Sequence, residues 1–243
     1  PGLGSIDPSQ GDYYQTTRGG GHGDYRTLTL APASCQEAYD LTIRAFDLAF
    51  LYRNPVVVLG DAILGQMKEP IRDWKERIVQ DGKGLDWSLS GARNRGPRLL
   101  KSLYLSDGAL AGHNRRLQEK YQSMRKECDW EEYCTRDAEL IVVAFGSMGR
   151  IAKSAVRKLR EKKQKVGLFR PITLYPFPEE PLNSLAAQGR HFLTLENNAG
   201  QMVDDVRLAI RRHADSGLHC VLPGQLANPE DLLDPIEKAL PQK

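Results

Sequence analysis

The chain has few of the residues from which metal or redox centres are built. Its four cysteines, Cys35, Cys128, Cys134 and Cys220, form no Cys-x-x-Cys pair, and Cys128 and Cys134 have no histidine near them. A zinc or iron–sulfur site made by this chain alone is therefore not expected. No Gly-Lys-Ser/Thr phosphate loop occurs, and no apolar run approaches membrane-spanning length. Charge of one sign is also lacking. Lysine and arginine number 34 against 31 acidic residues, a net +3 that is too balanced to imply nucleic acid. The one basic run, Arg157 to Lys165, fits the solvated end of a helix. With no secretory signal, a cytoplasmic location is expected. Pro1 stands where an initiator Met would be, inside a Gly/Pro-rich loop. That suggests a piece of something longer.

What is present is an ordinary globular composition, with 40% hydrophobic and 27% charged residues over 243 positions. Residues 8–26 form a glycine-dense loop carrying Ser9, Gln10, Asp12, Arg18, His22 and Asp24. Loops so rich in polar and titrating groups, held by a rigid scaffold, commonly contact ligands. Residues 27–31 alternate like a short strand. Ser34 and Glu37 make a capping box, and Leu41, Ala45, Leu48 and Ala49 give the helix after it an apolar stripe. Pro55 to Leu59 is apolar throughout, as a strand covered on both faces would be. From Met67 to Asp137 the pattern loosens. Residues 74–91 read as a surface excursion, and His113 to Cys128 as an amphipathic helix with Leu117, Tyr121 and Met124 on one face. From Glu139 strands and helices alternate to Leu240. The expected fold class is α/β: two doubly wound, mainly parallel-sheet domains, at 1–69 and 138–243, joined by a linker at 70–137.

Several positions invite chemistry, and each has a plainer reading. Gly146, Ser147, Met148 and Gly149 lie between a strand and a helix, where amides can hold a phosphate. The dinucleotide fingerprint is incomplete there, and Arg170 occupies the place of its acid, so a close-packed turn is favoured. Glu196, Asn197 and Asn198 end a strand at the ligand-binding edge of such a sheet, and Asn198 or Asn197 serves equally well as a helix cap. Glu179 and Glu180 suit a solvated helix start, and Asp204 and Asp205 an exposed helix face. His22 is flanked by glycines with Asp24 nearby, and an imidazole can relay protons. No nucleophile–base–orienter triad can be assigned.

The ordered segments PSQGDYYQ, GGGHGDYR, LAPASCQEAYDLTIRAFDLA, YRNPVVVLGDAILGQM, DAELIVVAFGSMGRIAKSAV, VGLFRPITLYPFP and LENNAGQMVDDVRLAI together resemble the α subunit of 2-oxoacid:ferredoxin oxidoreductases. The likeness is nearest to the 2-oxoisovalerate (ketovaline) type, then the 2-oxoglutarate type, and covers almost the whole chain. It implies a partial thiamine-pyrimidine-binding domain and a transketolase C-terminal-like domain. It also implies oxidative decarboxylation of a 2-oxoacid with coenzyme A and ferredoxin. Thiamine diphosphate with magnesium would be shared with a β subunit, iron–sulfur clusters would lie outside this subunit, and the partners would be that β subunit, an iron–sulfur subunit, a γ subunit and ferredoxin. On this resemblance Ser9, Gln10, Asp12, Arg18 and His22 are the expected cofactor-side residues of an interface loop. No metal ligand is expected in the chain. The catalytic residues are expected in a portion preceding Pro1, leaving the chain inactive by itself. Two other readings remain open: a non-catalytic assembly module of such a complex, and a nucleotide-binding protein using Gly146 to Gly149.

Overall fold

A computed structural model describes residues 7–73, 87, 89 and 91–241. The surface excursion expected at 74–91 lies almost wholly outside the described residues. In chain order the elements begin α1 (Tyr13–Thr17), β1 (Leu28–Leu30), α2 (Cys35–Tyr52), β2 (Val56–Val58), α3 (Ala62–Gln66) and α4 (Ala109–Ser123). A 3-10 turn, Met124–Glu127, leads to β3 (Trp130–Tyr133), β4 (Leu140–Val143), α5 (Gly146–Glu161), β5 (Val166–Pro171) and β6 (Thr173–Tyr175). The chain continues with α6 (Glu179–Ala186), β7 (His191–Glu196), α7 (Met202–Ile210), β8 (Ser216–Cys220) and α8 (Leu233–Ala239).

The larger sheet runs β3-β5-β4-β7-β8, parallel except for β3 at its edge. Its period-two side-chain alternation supplies two cores. Leu140 and Val142 of β4 pack under α5 and α8, whereas Ile141 and Val143 pack under α6 and α7. Full burial of each such side chain is worth roughly 1.5–3 kcal/mol. This three-layer sandwich therefore carries most of the stability. The order of the strands reverses between β4 and β7, because the chain passes from β4 to β5 on one side and returns to β7 on the other.

The smaller sheet, β2-β1-β6, is parallel between β1 and β2, as the strand–helix–strand pattern predicts. It lies under α2, through Leu41, Ala45, Leu48 and Tyr52, and under Tyr121 and Met124. Tyr52 completes the α2 stripe where Ala49 was expected, since Ala49 is only half-buried. The helix of the linker starts earlier than predicted, at Ala109, and docks on this chain. Three expectations need correction. Val56, Val57 and Val58 are half-buried, because β2 is a sheet edge with one neighbour. Residues 170–181, a proline-rich stretch that reads as irregular between strands, contain β6, which pairs antiparallel with β1. The linker contains β3, paired with β5. Two short strands thus pair across the expected divisions at 69/70 and 137/138.

Arg170 ties the two sheets together. It is 4% exposed at the end of β5. Its guanidinium donates twice to Glu37 of α2, at 2.6 and 3.0 Å, and once to Glu131 of β3, at 2.7 Å. Gly149 allows the passage of this side chain, since a Cβ there would stand 2.8 Å from Arg170 Cδ. The capping box also shifts by one position. The Ser34 hydroxyl accepts from the Glu37 amide as expected, but the Glu37 carboxylate accepts from the amide of Ala33.

Burial opposes ionisation of Glu131, yet hydrogen bonds from Lys153 and Arg170 prevail and hold its carboxyl below the ordinary range. A depressed folded value contributes stability in full above the unfolded pKa of about 4.3, and loses it as pH falls through the folded value. Urea midpoints measured from pH 6 down to pH 3 are therefore expected to fall steeply for the parent chain and less steeply for Glu131→Gln. Equal acid slopes in the two would contradict this account.

Candidate functional site

In open α/β sheets the carboxyl ends of the strands beside a reversal of strand order leave a crevice, and ligands commonly bind there. Here the crevice lies outside Phe145 and Gly146 after β4, and Glu196 and Asn197 after β7. It is filled by Gln10. The Gln10 side chain donates to the Phe145 carbonyl at 2.9 Å and accepts from the Asn197 amide at 3.0 Å. Its backbone amide donates to the Asn197 carbonyl at 2.8 Å, and its own carbonyl accepts from Asn198 Nδ2 at 2.9 Å. At 4% exposure, with both ends of its amide engaged, Gln10 holds the N-terminal loop in place. A carboxamide suits the position because it offers one donor and one acceptor group in fixed relation.

The cap expected from Asn197 or Asn198 comes instead from Glu196, while the asparagine side chains bond the Val221 carbonyl and the Gly200 amide. The fully buried Glu196 carboxylate accepts from the amides of Gln201, Met202 and Val203, and from Asn198 Nδ2. It therefore caps α7, where a negative charge also suits the helix dipole. Gln201 reaches back to the loop, accepting from the Tyr14 amide at 2.8 Å and donating to the Gly11 carbonyl at 2.8 Å. The turn reading of Gly146 to Gly149 also fits. Gly146 takes φ +54°, and a Cβ there would stand 3.2 Å from Gln10 Nε2. The Ser147 hydroxyl donates to Asp61. Asp61 in turn caps α3 by accepting from the Leu64 amide at 3.1 Å.

The loop is stitched further by α1. Tyr13 is fully buried, with its ring 5.6 Å from that of Phe145, and donates to Asp205 at 2.6 Å. Tyr14 donates to Asp204, and Arg18 donates to Asp205 at 3.0 Å. Burial, then the charge and hydrogen bond of Asp205, push the Tyr13 phenol well up. Burial and the Asp204 hydrogen bond push Tyr14 up to about 12. Asp204 is exposed as expected and Asp205 half-buried, and both are in addition the acceptors on which α1 is seated.

The five predicted loop residues do not converge. Ser9, Gln10 and Asp12 line a cavity of about 20 Å³ with Leu59, Gly60 and Asp61, room for about one water. Arg18 lines a separate open cleft of about 860 Å³, with Arg26, Arg125, Tyr175 and Glu179 on its other walls. His22 is exposed and lines neither. Glu179 and Glu180 are exposed at the start of α6, as predicted. The residues that the loop reading missed are Asp61, Gln201 and Asp205. Only Asp61 had a signal, as the acid that follows an apolar strand. Among the described residues no group of histidine, cysteine and carboxylate side chains is arranged to hold a metal ion.

Residues 1–97 match the family model described as pyruvate flavodoxin/ferredoxin oxidoreductase, thiamine diP-bdg, and residues 138–232 match pyruvate:ferredoxin oxidoreductase core domain II. The chain is 48% identical to the ketoisovalerate oxidoreductase subunit VorB of Methanothermobacter marburgensis, over 86% of the chain and 59% of that protein. It is 33% identical to the 2-oxoglutarate synthase subunit KorA of Methanothermobacter thermautotrophicus, over 95% of the chain and 68% of that protein. The chain thus spans less than two thirds of the ketoisovalerate relative. Among solved structures, the 2-oxoglutarate:ferredoxin oxidoreductase from Magnetococcus marinus shares the fold, with a TM-score of 0.75 at 18% identity, over 98% of this chain and 46% of that one.

Removing the Gln10 side chain leaves the Phe145 carbonyl and the Asn197 amide unpaired in a buried place. Each orphaned group costs about 1–3 kcal/mol. Gln10→Ala is expected to lower the urea-unfolding free energy by roughly 2–4 kcal/mol, and Gln10→Glu to lower it as well, since a carboxylate donates nothing to Phe145. A loss below about 0.5 kcal/mol, the range of an ordinary surface substitution, would show that the clasp is not structural.

Proposed function

The chain belongs to the 2-oxoacid:ferredoxin oxidoreductase family, and from that premise we propose that it forms part of the subunit that helps to enclose thiamine diphosphate while a 2-oxoacid is oxidised. The reaction proposed is conversion of the 2-oxoacid and coenzyme A to acyl-CoA and carbon dioxide, with reduction of ferredoxin. The preferred substrate is 2-oxoisovalerate. The observation that carries this choice is the 48% identity to a ketoisovalerate oxidoreductase subunit, set against 33% to a 2-oxoglutarate synthase subunit. No helix among the described residues is long and apolar enough to cross a membrane, in keeping with a proposed cytoplasmic site of action.

On this reading thiamine diphosphate is held only together with a partner subunit. The loop cavity admits about one water, and no cluster among the described residues is arranged for a magnesium ion. No chemical step is therefore assigned to a residue of this chain. The role proposed for the loop is to form one wall of a pocket shared with a β subunit, while iron–sulfur clusters in other subunits carry electrons towards ferredoxin and a γ subunit completes the assembly. Gln10 positions that wall. Ser9 and Asp12 border the small cavity beside it, and Arg18 and His22 lie farther out.

The test is to assemble the full-length subunit with its partner subunits and to follow coenzyme-A-dependent reduction of ferredoxin. The kcat/KM for 2-oxoisovalerate is expected to exceed that for 2-oxoglutarate by at least about tenfold, a difference of about 1.4 kcal/mol in transition-state binding. A preference for 2-oxoglutarate would overturn the substrate assignment. Turnover of neither acid would overturn the activity.

A further inference from the structure

Fourteen large hydrophobic side chains stand exposed among the described residues, and five of them fall between positions 99 and 110: Leu99, Leu100, Leu103, Leu105 and Leu110. Soluble chains scatter single exposed leucines, but a run of this kind marks an interaction site. Residues 97–105 belong to no helix and no sheet. They are nevertheless anchored. The Tyr104 ring stacks on His113 of α4, with centroids 4.8 Å apart and planes 23° apart, and its hydroxyl lies 3.2 Å from His113 Nδ1. With Tyr104 turned inward, its neighbours Leu103 and Leu105 point out, 66% and 84% exposed, and Leu99 is 81% exposed. Charge along the segment has one sign. Residues 91–106 contain Arg93, Arg95, Arg98 and Lys101 and no acid.

We propose that residues 97–106, continued by Leu110, are a docking strap for another protein subunit, one with apolar pockets for Leu99, Leu103 and Leu105 and carboxylates facing the exposed Arg93 and Lys101. Period and backbone favour a protein over a lipid surface. A membrane-bound segment of this size pairs its backbone groups within an amphipathic helix, and this one is not helical. A protein edge supplies both the pockets and partners for the backbone, as when an irregular or extended segment adds to a sheet. Leucines rather than polar tips meet the partner, which sets nucleic acid aside. The strap itself does not depend on the substrate reading. Only the choice of partner for the test does, and assembly is read separately from turnover.

The experiment is hydrogen–deuterium exchange of the peptide spanning 97–106 in the full-length chain alone and in the complex with its co-expressed partner subunits. Exchange is expected to be fast in the lone chain and at least about tenfold slower in the complex, the equivalent of about 1.4 kcal/mol of protection. The double variant Leu103→Asp and Leu105→Asp is expected to weaken assembly by a similar factor while leaving the melting temperature of the lone chain unchanged, because neither side chain is buried. Four results would overturn the proposal. They are slow exchange already in the dilute lone chain, protection that follows the concentration of the chain itself, protection only with anionic lipid vesicles, and unchanged assembly of the double variant.

Discussion

The hydrogen bonds of a single carboxamide fix how this molecule is arranged. Where strand order reverses between β4 and β7, the strands end on backbone groups that need partners, and the Gln10 side chain serves one on each strand. Buried backbone groups without partners are costly, so the loop is not free to leave. Once Gln10 is seated, Tyr13 falls into the core beside Phe145, and Gln201, at the start of α7, bonds to the loop on both of its amide atoms. The crevice where a doubly wound fold commonly receives a ligand is thus occupied by the chain itself.

A second constraint works beside the first. Arg170 leaves the large sheet, passes over Gly149, and ends between Glu37 of the small-sheet helix and Glu131 of the edge strand. A buried guanidinium is stable only with its donors engaged, and these reach Glu131 inside the expected linker and Glu37 before it. β6 adds a backbone ladder between the first and last of the expected segments. Three unlike contacts, an amide clasp, an ion-pair hub and a strand pairing, therefore join the segments that match two separate family models. The loop chemistry follows from this rigidity: groups such as Ser9 and Asp12 stand on a backbone that cannot shift without breaking buried bonds.

Much of the large sheet was legible because local and tertiary signals agree there. β4, β5 and β7 are apolar runs long enough to be unmistakable, and of the α5 stripe Ile151, Ala155, Val156 and Leu159, all but the half-buried Ile151 are buried as the period implies. The α2 cap was legible from Ser34 and Glu37. The misses have physical causes. β3 reads Trp-Glu-Glu-Tyr, whose acids look solvated until Arg170 and Lys153 arrive from distant positions. β6 is three residues beside Pro176, too short for any period to register. Asp204 and Asp205 look like an exposed pair because their partners, Tyr14, Tyr13 and Arg18, lie nearly 190 residues earlier in the chain. The candidate site was legible as a place, since its polar loop stands out, but the structural duty of Gln10 depends on a strand reversal that no local pattern records.

The central claim is that the loop at 8–18 and the large sheet open as one unit. Native-state hydrogen exchange tests it most directly, because amide opening free energies report which segments unfold together. The amides of Gln10 and Tyr14, bonded to the Asn197 carbonyl and Gln201 Oε1, are predicted to share the opening free energy of the β4 and β7 amides. Fast exchange at Gln10 and Tyr14, with β4 and β7 still protected, would contradict it.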